Sequence, residues 1–314
     1  MFSHADYVYA VYQERSFTRA AEKLYVSQPA LSATVRKLEK DLGYPIFERG
    51  IKEVVPTAIG MKYIEAAEQV LSIGRQLRRQ TDDLLQLRAG SITLGSTTFI
   101  ASYVLPGLLR EFGKRYPGIT VNLLVEQSTI LQEKLEKGLV DIAIDNTLAC
   151  SEEYVYNPLF AEQIIVGVPE EYPINRQLTH LRLPSNPDSW EQIPKLDITQ
   201  LAECPFILLK SGNNMRQTAG SIFSEKGIRP IISYEFDQLM TSISFAQNGL
   251  GACFLTDTLL RWGQTCRELA LYRPDTAFPQ RTLYAIRKKN KYLPSAAQAL
   301  LEFLNDHIKE GTPR

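Results

Sequence analysis

Residues 16–49, SFTRAAEKLYVSQPALSATVRKLEKDLGYPIFER, constrain the fold of this 314-residue chain more than any other stretch. Ser27 can cap a helix, because its hydroxyl can accept a hydrogen bond from the free N–H groups of the first turn, and Pro29 falls where a helix loses no bond. Four aliphatic residues then recur at spacings of four, three and four, which places them on one stripe of that helix: Leu31, Val35, Leu38 and Leu42. A shorter helix over about 18–24 can bury apolar side chains against this stripe: Phe17, Ala20, Ala21 and Leu24. The two helices and the tight turn between them predict a helix-turn-helix unit.

The opposite face of the second predicted helix carries groups that suit a DNA surface. Gln28 and Ser32 can form hydrogen bonds with base edges, and small residues such as Ala33 let the helix approach the bases. Three cations follow downstream, where they can meet phosphates: Arg36, Lys37 and Lys40. Helix-turn-helix geometry is also common in proteins that never touch DNA, so the pattern by itself leaves the function open.

The same stretch resembles the N-terminal DNA-binding domain of LysR-type transcriptional regulators, which typically read SFTxAAxxLxxSQPALSxxIxxLExxLGxxLFxR. Nearly every fixed position matches, and the departures are mild, with Val35 for the usual Ile and Ile46 for the usual Leu. The resemblance implies a cytoplasmic transcriptional regulator that binds double-stranded DNA and is not an enzyme. Together with the chemistry of the polar face, it gives these candidate DNA-binding residues: Thr18, Ser27, Gln28, Pro29, Ser32, Arg36, Lys37, Arg49 and Lys52.

Residues 46–56, IFERGIKEVVP, predict a short two-stranded wing that turns around Gly50. Arg49 and Lys52 flank the tip of this hairpin, where they can reach backbone phosphates or the minor groove. A solvated hairpin without DNA contacts is the alternative, and the resemblance favours contact for Arg49 more than for Lys52.

A long helix is predicted from about 58 to 88, because Thr57 can cap it and no proline interrupts it. Heptads put apolar or aromatic residues at seven of eight seam positions: Tyr63, Val70, Leu77 and Leu84 at a, and Ala66, Ile73, Gln80 and Leu87 at d. A single helix cannot bury such a seam, so the pattern predicts a homodimer and, by its two-fold symmetry, an inverted-repeat DNA site. The seam matches the linker helix of LysR-type proteins, whose effector domains commonly join dimers into tetramers.

Composition and charge narrow the class of protein. Lys plus Arg and Asp plus Glu number 35 each, and residues 1–58 hold eight cations against seven carboxylates, so DNA binding must depend on where the cations lie. No apolar run reaches the roughly 18 residues of a membrane span, and the first residues lack the pattern of a secretory signal. The four cysteines form no C-x-x-C pair and the three histidines lie far apart, which fits a reducing cytoplasm and predicts no metal site and no cofactor.

From Ser91 onward short strands alternate with helices, which predicts a parallel α/β sheet with right-handed crossovers. The segments ITLGSTTFIASYVLPGLLREFGKRYP and LEKGLVDIAI resemble the LysR effector domain, whose fold is like that of a periplasmic binding protein. The fold class is therefore α/β with an N-terminal all-α winged helix-turn-helix, a long linker helix and an effector domain of two α/β subdomains.

The expected boundaries follow from these patterns and the resemblance. We expect the DNA-binding domain at 1–57, the linker helix at 58–90 and the effector domain at 91–314. Within the effector domain, the expected ranges are about 91–160 and 269–314 for subdomain I and about 161–268 for subdomain II. Residues 170–197 are longer than is usual in the family and predict a Pro-rich surface loop.

Small molecules bind open α/β sheets beyond the carboxyl ends of the strands, where helix N-termini present free N–H groups. Short hydroxyl and amide side chains follow four of the predicted strands: Ser96, Thr97, Thr98, Gln127, Ser128, Asn146, Ser211 and Asn213. Each one alone is more often a helix cap than a ligand contact, but four segments that converge on one cleft favour a small-molecule effector site. These donors suit a small carboxylate or another anion, whereas Asp145 leaves an amine-bearing effector open.

Two other functions stay open from the sequence. Cys253 and Cys266 lie 13 residues apart and could form a thiol switch in a DNA-binding regulator, although neither lies in an evidently basic stretch that would activate it. The α/β domain could instead be an enzyme, but it lacks a Gly-rich phosphate loop, a G-x-S-x-G elbow and a plausible nucleophile–histidine pair.

Overall fold

The computed structural model describes residues 2, 4–48, 54–84, 90–146, 151–178, 193–262, 268–276 and 281–309. The chain divides into two compact units, of which the first comprises residues 1–90 and 136–139 and the second the remainder. Separate apolar clusters lie in the two units, so each has a core of its own. Among the described helices, none combines the length and the hydropathy that crossing a bilayer requires.

The first unit is built on four helices: α1 (Ala5–Glu14), α2 (Phe17–Lys23), α3 (Gln28–Leu42) and α4 (Ala58–Leu84). The Ser27 hydroxyl accepts a hydrogen bond from the Ala30 N–H at 3.4 Å, and Pro29 lies in the first turn of α3, as the sequence predicts. The apolar stripe of α3 joins the core of this unit through Leu31, Val35 and Leu38. The predicted helix-turn-helix is therefore present, with the capping that its sequence indicates.

A buried carboxylate ties the end of α3 to the segment that follows it. Glu39 is 8% exposed, and its Oε1 accepts hydrogen bonds from the backbone N–H groups of Ile46 at 2.7 Å and Phe47 at 3.2 Å. Charge-assisted bonds to backbone N–H groups are stronger than neutral ones, and a buried N–H without a partner is costly. The path of the chain out of α3 is therefore fixed by Glu39.

The base of the predicted wing is an antiparallel pair. Phe47 and Pro56 form a bridge, and the N–H of Glu48 donates to the carbonyl of Val55 at 2.8 Å. The tip of the hairpin, residues 49–53, lies outside the described residues, and with it lie the candidate DNA contacts Arg49 and Lys52.

The long helix α4 begins in close contact with the same segment. Thr57 Oγ1 accepts from the Gly60 N–H at 2.8 Å and donates to the Pro45 carbonyl at 2.8 Å, so one hydroxyl caps the helix and anchors it. A Cβ placed on Gly60 would lie 1.9 Å from the carbonyl oxygen of Ile46, which is backbone and cannot give way easily. The helix can approach this closely only because residue 60 has no side chain.

The heptad seam of α4 divides into a buried start and an exposed continuation. Tyr63 is buried in the core of the first unit, so this predicted seam position serves the fold of its own chain. Val70 is partly exposed, whereas Ile73 and Leu77 are 66% and 63% exposed. Ala66 is half-buried, and the side chains of three predicted seam positions lie outside the described ones: Gln80, Leu84 and Leu87.

The second unit contains two sheets with helices packed on them. Its helices are α5 (Thr98–Tyr103), α6 (Leu105–Arg115), α7 (Ser128–Glu136), α8 (Asn214–Glu225), α9 (Leu239–Gln247), α10 (Asp257–Arg261) and α11 (Ser295–Lys309). Its strands are β1 (Gly90–Ser96), β2 (Ile119–Val125), β3 (Ile142–Asp145), β4 (Tyr154–Glu162), β5 (Ile164–Pro169), β6 (Lys195–Leu196), β7 (Pro205–Leu209), β8 (Ile231–Phe236), β9 (Ala252–Thr256), β10 (Leu269–Pro274) and β11 (Arg281–Lys288).

The strands form a five-stranded sheet in the order β2-β1-β3-β11-β4 and a six-stranded sheet in the order β6-β10-β5-β9-β7-β8. Strand β11 runs antiparallel to β3 and β4, and β5 runs antiparallel to β9 and β10. Both sheets are therefore mixed: the predicted parallel pairing is present between β1 and β3 and between β7 and both β8 and β9, and antiparallel strands are added to it. The antiparallel pairs arise because the chain crosses between the sheets: β4 of the first sheet leads directly into β5 of the second.

Two local expectations need correction. The chain returns to the first sheet with β11 and not at residue 269, because β10 pairs with β5 and β6 in the second sheet. The stretch 170–197, expected as a loop, contains a 3-10 helix at Pro173–Arg176 and strand β6, while residues 179–192 lie outside the described ones.

We expect Gly60→Ala to destabilise the first unit by about 1–3 kcal/mol, because the added methyl group would clash with the Ile46 carbonyl. Gly74→Ala, in the same helix, is the matched control: a Cβ there meets nothing within 4 Å, so this change should stabilise by about 0.5–1 kcal/mol. Urea unfolding followed by far-UV circular dichroism measures both. Equal effects of the two substitutions would contradict the close approach at Gly60.

Candidate functional site

One candidate surface lies in the first unit, on the face of α3 that points away from the core. The predicted DNA-binding residues at its N-terminus, Gln28 and Pro29, are exposed, as is Ser27 just before it. Ser32 is half-buried one turn later, and Thr18 is exposed near the start of α2. The short polar side chains that could reach base edges are therefore accessible together at one end of α3.

The cations on α3 are exposed and uncompensated within the described part of the chain. No described carboxylate forms an ion pair with Arg36, Lys37 or Lys40, although other exposed cations of the first unit, such as Lys23 with Glu14, are paired. Unpaired, solvated cations on one helix face can exchange their counterions for phosphates. The face therefore combines exposed polar groups at its start with exposed, unpaired cations further along.

A second candidate surface lies in the second unit, at the carboxyl edge of the first sheet. The N–H of Glu126, just beyond β2, donates to the carbonyl of Ser96 at the end of β1 at 3.1 Å. Ser96 is paired in register with Ile144 of β3, so Asn146 follows at the same edge. Because β4 runs antiparallel to β11, its last residue, Glu162, and the first residue of β11, Arg281, also lie at this edge.

The centre of this edge is the carboxylate of Glu162, which is 1% exposed. Its Oε2 accepts from the Asn146 amide at 2.6 Å and lies 3.5 Å from Arg281 Nε, and its Oε1 accepts from the Thr258 hydroxyl at 2.7 Å. Burying a carboxylate is costly unless donors replace its water, and three residues from three separate stretches do so here. Asn146 was predicted from the sequence as an effector residue, whereas Glu162, the acceptor that holds it, was not.

Arg281 connects this edge to the second sheet. Its side chain is 11% exposed, and Nη1 donates to the side-chain oxygen of Asn214, the first residue of α8. Asn213, one residue earlier, caps α8 by accepting from the Met215 N–H at 2.8 Å. Arg281 therefore bridges the carboxyl edge of the first sheet to a helix N-terminus of the second sheet.

Two further carboxylates lie nearby and are also held by donors. Asp257 accepts from the N–H of Gln163 at 2.7 Å and forms an ion pair with Arg261. Burial raises the pKa of Asp257 to about 6, and the pair with Arg261 opposes that increase. Asp145 is buried and accepts from the N–H of Asn146 at 2.6 Å. Each of these two carboxylates accepts a backbone hydrogen bond through its Oδ1, and both side chains are buried.

The other predicted effector residues differ in how accessible they are. Ser96 is fully buried and its hydroxyl donates to the Ile144 carbonyl at 3.3 Å, so it serves the sheet and the expectation of a direct ligand contact does not fit its surroundings. Thr97 and Ser128 are half-buried at the starts of α5 and α7, where they border the edge. The exposed members are Thr98, Gln127 and Ser211.

Neither a metal site nor a thiol pair is visible in what the structure describes. Within the described ranges, no group of three or more His, Cys, Asp or Glu side chains could hold a metal ion. Cys253 is fully buried in β9, whereas Cys266 lies outside the described residues. A thiol enclosed in a sheet is poorly accessible to an oxidant, which weakens the alternative of a switch through Cys253.

Comparison with known families covers almost the whole chain. Residues 2–61 match the family described as bacterial regulatory helix-turn-helix protein, lysR family, and residues 85–309 match the LysR substrate binding domain. The uncharacterised HTH-type transcriptional regulator YcgK of Bacillus subtilis (strain 168) is 29% identical over 307 residues, which are 97% of this chain and 94% of YcgK.

Solved structures show the same architecture. Full-length CbnR complexed with its target DNA aligns with a TM-score of 0.69 at 19% identity, over 98% of this chain and 99% of CbnR. A full-length OxyR variant from Pseudomonas aeruginosa aligns with a TM-score of 0.69 at 24% identity, over 97% of this chain and 94% of that one. These likenesses confirm the predicted fold class, a helix-turn-helix followed by an α/β effector domain.

Proposed function

Because the chain belongs to the LysR family of bacterial transcriptional regulators, we propose that α3 reads operator DNA and that the edge around Arg281 binds a small carboxylate effector. Family membership makes the protein a DNA-binding regulator with an effector-binding domain, and not an enzyme. We assign residues 1–57 to DNA binding, 58–90 to the linker, and 91–314 to effector binding. We also assign the protein to the cytoplasm, where bacterial operators are found.

The accessible polar face of α3 is the observation that carries the DNA-binding proposal. In it, Gln28, Pro29 and Ser32 meet base edges in the major groove, and Arg36 and Lys37 follow the phosphates. In the same proposal, Thr18 and Ser27 contact the sugar-phosphate backbone of the DNA beside the major groove. Arg49 and Lys52 on the wing complete the proposed surface, with the minor groove or its phosphates as their target.

The exposed seam of α4 supports a homodimer. Val70, Ile73 and Leu77 recur at heptad spacing and expose apolar surface that a second copy of the helix would bury. Two-fold pairing of the helices presents two copies of α3 to an inverted-repeat operator. A tetramer, in which effector domains join two such dimers, is the larger assembly that the family resemblance implies.

The effector site is proposed at the carboxyl edge of the first sheet. Arg281 offers a guanidinium whose partners within the described residues are Glu162 and Asn214, and a carboxylate suits its planar donors. Half-buried Thr97 and Ser128 add donors from the starts of two helices. Glu162 is held by three internal donors, and Asp145 and Asp257 are buried, so these carboxylates repel an anion less than exposed ones would.

Regulation follows from the bridge that Arg281 makes between the sheets. An effector that binds Arg281 competes with Asn214, so it favours the arrangement of the two subdomains that leaves Arg281 free. A ligand can shift such an equilibrium only by the difference between its affinities for the two arrangements. The effector therefore regulates through the Arg281–Asn214 contact and not through contacts with DNA.

We expect Arg36→Ala to weaken binding to a duplex that the wild-type protein selects from fragmented genomic DNA by about tenfold or more. The slope of log affinity against log salt should fall by about 0.9 for each Arg36 that meets a phosphate. Fluorescence anisotropy at several salt concentrations measures both quantities. Arg110→Ala, an exposed arginine of the second unit, is the control and should change neither; identical binding by the two variants would remove Arg36 from the interface.

We expect Ile73→Asp to dissociate the homodimer, because a carboxylate would replace an apolar side chain at the centre of the seam. Sedimentation velocity at micromolar concentration reports the species present. Arg75→Asp lies two positions along the same helix and off the seam, so it should leave the dimer intact. A wild-type protein that sediments as a monomer would contradict the pairing itself.

We expect small carboxylates such as benzoate or succinate to raise the Tm of the full-length protein, while the matched amides do not, because ligand binding stabilises the folded form. Arg281→Gln should abolish this shift in Tm, and Arg281→Lys should retain part of it because the positive charge remains. Benzylamine tests the alternative class of effector. A shift with benzylamine and none with the acids would reverse the assignment.

A further inference from the structure

Helix α2 ends in a left-handed turn that belongs to the helix-turn-helix itself. The N–H of Tyr25 donates to the carbonyl of Glu22 at 3.2 Å, and the N–H of Val26 donates to the carbonyl of Ala21 at 3.0 Å. This pair of bonds is the Schellman arrangement, in which the residue after the helix cap adopts the left-handed conformation. Tyr25 occupies that position with a φ of 55°.

Tyrosine is an unfavourable residue for the stability of this turn. Glycine and asparagine are the usual residues there, because a Cβ in the left-handed conformation crowds the neighbouring carbonyl oxygen. Packing does not compensate, since Tyr25 is 97% exposed, more than any other large apolar side chain in the described part of the chain. The fold therefore bears a strained, solvated aromatic residue from which it gains no contact.

The position of Tyr25 relates it to the surface that reads DNA. It lies two residues before Ser27, the cap of α3, and three before Gln28, both of which are exposed. A phenol at this point projects from the turn that precedes the first residues proposed to enter the major groove. Its hydroxyl can donate to a phosphate oxygen, and its ring can lie against a deoxyribose.

We propose that Tyr25 is a DNA-contacting residue that fixes the entry of α3 into the major groove through a hydrogen bond to the phosphate backbone. The inference rests on the proposed function of α3 and adds a contact that carries no charge. Binding by a neutral phenol releases no counterion, whereas binding by arginine does. The two kinds of contact can therefore be separated by their dependence on salt.

The test measures affinity for the selected duplex across a range of salt concentrations, using full-length protein. We expect Tyr25→Phe to bind about three- to tenfold more weakly, with the same salt slope as wild type. Tyr25→Asn should lose affinity at least as strongly while its Tm rises by about 2–6 °C, because asparagine tolerates the left-handed conformation. Tyr234→Phe, which removes a phenol hydroxyl from the second unit, is the matched control and should bind as wild type does.

A gain in stability together with a loss of affinity is the signature that a purely structural role of Tyr25 cannot give. If Tyr25→Phe and Tyr25→Asn both bind the duplex as tightly as wild type, the proposed contact is wrong. Arg36→Ala, measured in the same series, separates this failure from a failure of the α3 surface. If Arg36→Ala weakens binding and the Tyr25 variants do not, α3 reads DNA without Tyr25.

Discussion

Glu162 is the last residue of strand β4. Its carboxylate accepts hydrogen bonds from Asn146 and Thr258 and forms an ion pair with Arg281. Removing one partner of a buried ion pair typically costs about 3–5 kcal/mol, because the remaining charge has lost its water and gained nothing. Since β4 leads into β5 of the other sheet after Gln163 alone, these contacts hold the two sheets at the place where the chain crosses between them. The proposed effector site exists because this crossing is fixed and polar.

The two units use charge in opposite ways. Around Glu162 the carboxylates are buried and held by internal donors, so the edge keeps its geometry before any ligand arrives. On α3 the cations are exposed and have no described partner, so in the proposed complex they can exchange their counterions for DNA phosphates. A chain with equal numbers of cations and carboxylates can thus present a basic surface, because the position of the charges and not their total decides where a surface is basic.

The sequence predicted what local contacts determine. The Ser27 cap, the Leu31 stripe and the long α4 all depend on residues within a few turns of one another, and each was expected at its observed place. Glu162 and Arg281 are 119 positions apart in the sequence, and the residues around either one do not indicate that the two side chains meet. Tyr63 was misassigned for a similar reason, because a heptad pattern does not show which apolar positions the chain's own core takes first.

The segment 45–47 receives the side chains of two helices: Glu39 binds it from the end of α3, and Thr57 binds it from the start of α4. Gly60 lies so close to the Ile46 carbonyl that no side chain fits between them. The angle between α3 and α4 is therefore set by backbone geometry. In the proposed dimer, the paired linker helices then fix the distance between the two copies of α3. The separation of the two half-sites of an inverted-repeat operator would then depend on residues 45–47 and Gly60, none of which is among the residues proposed to contact bases.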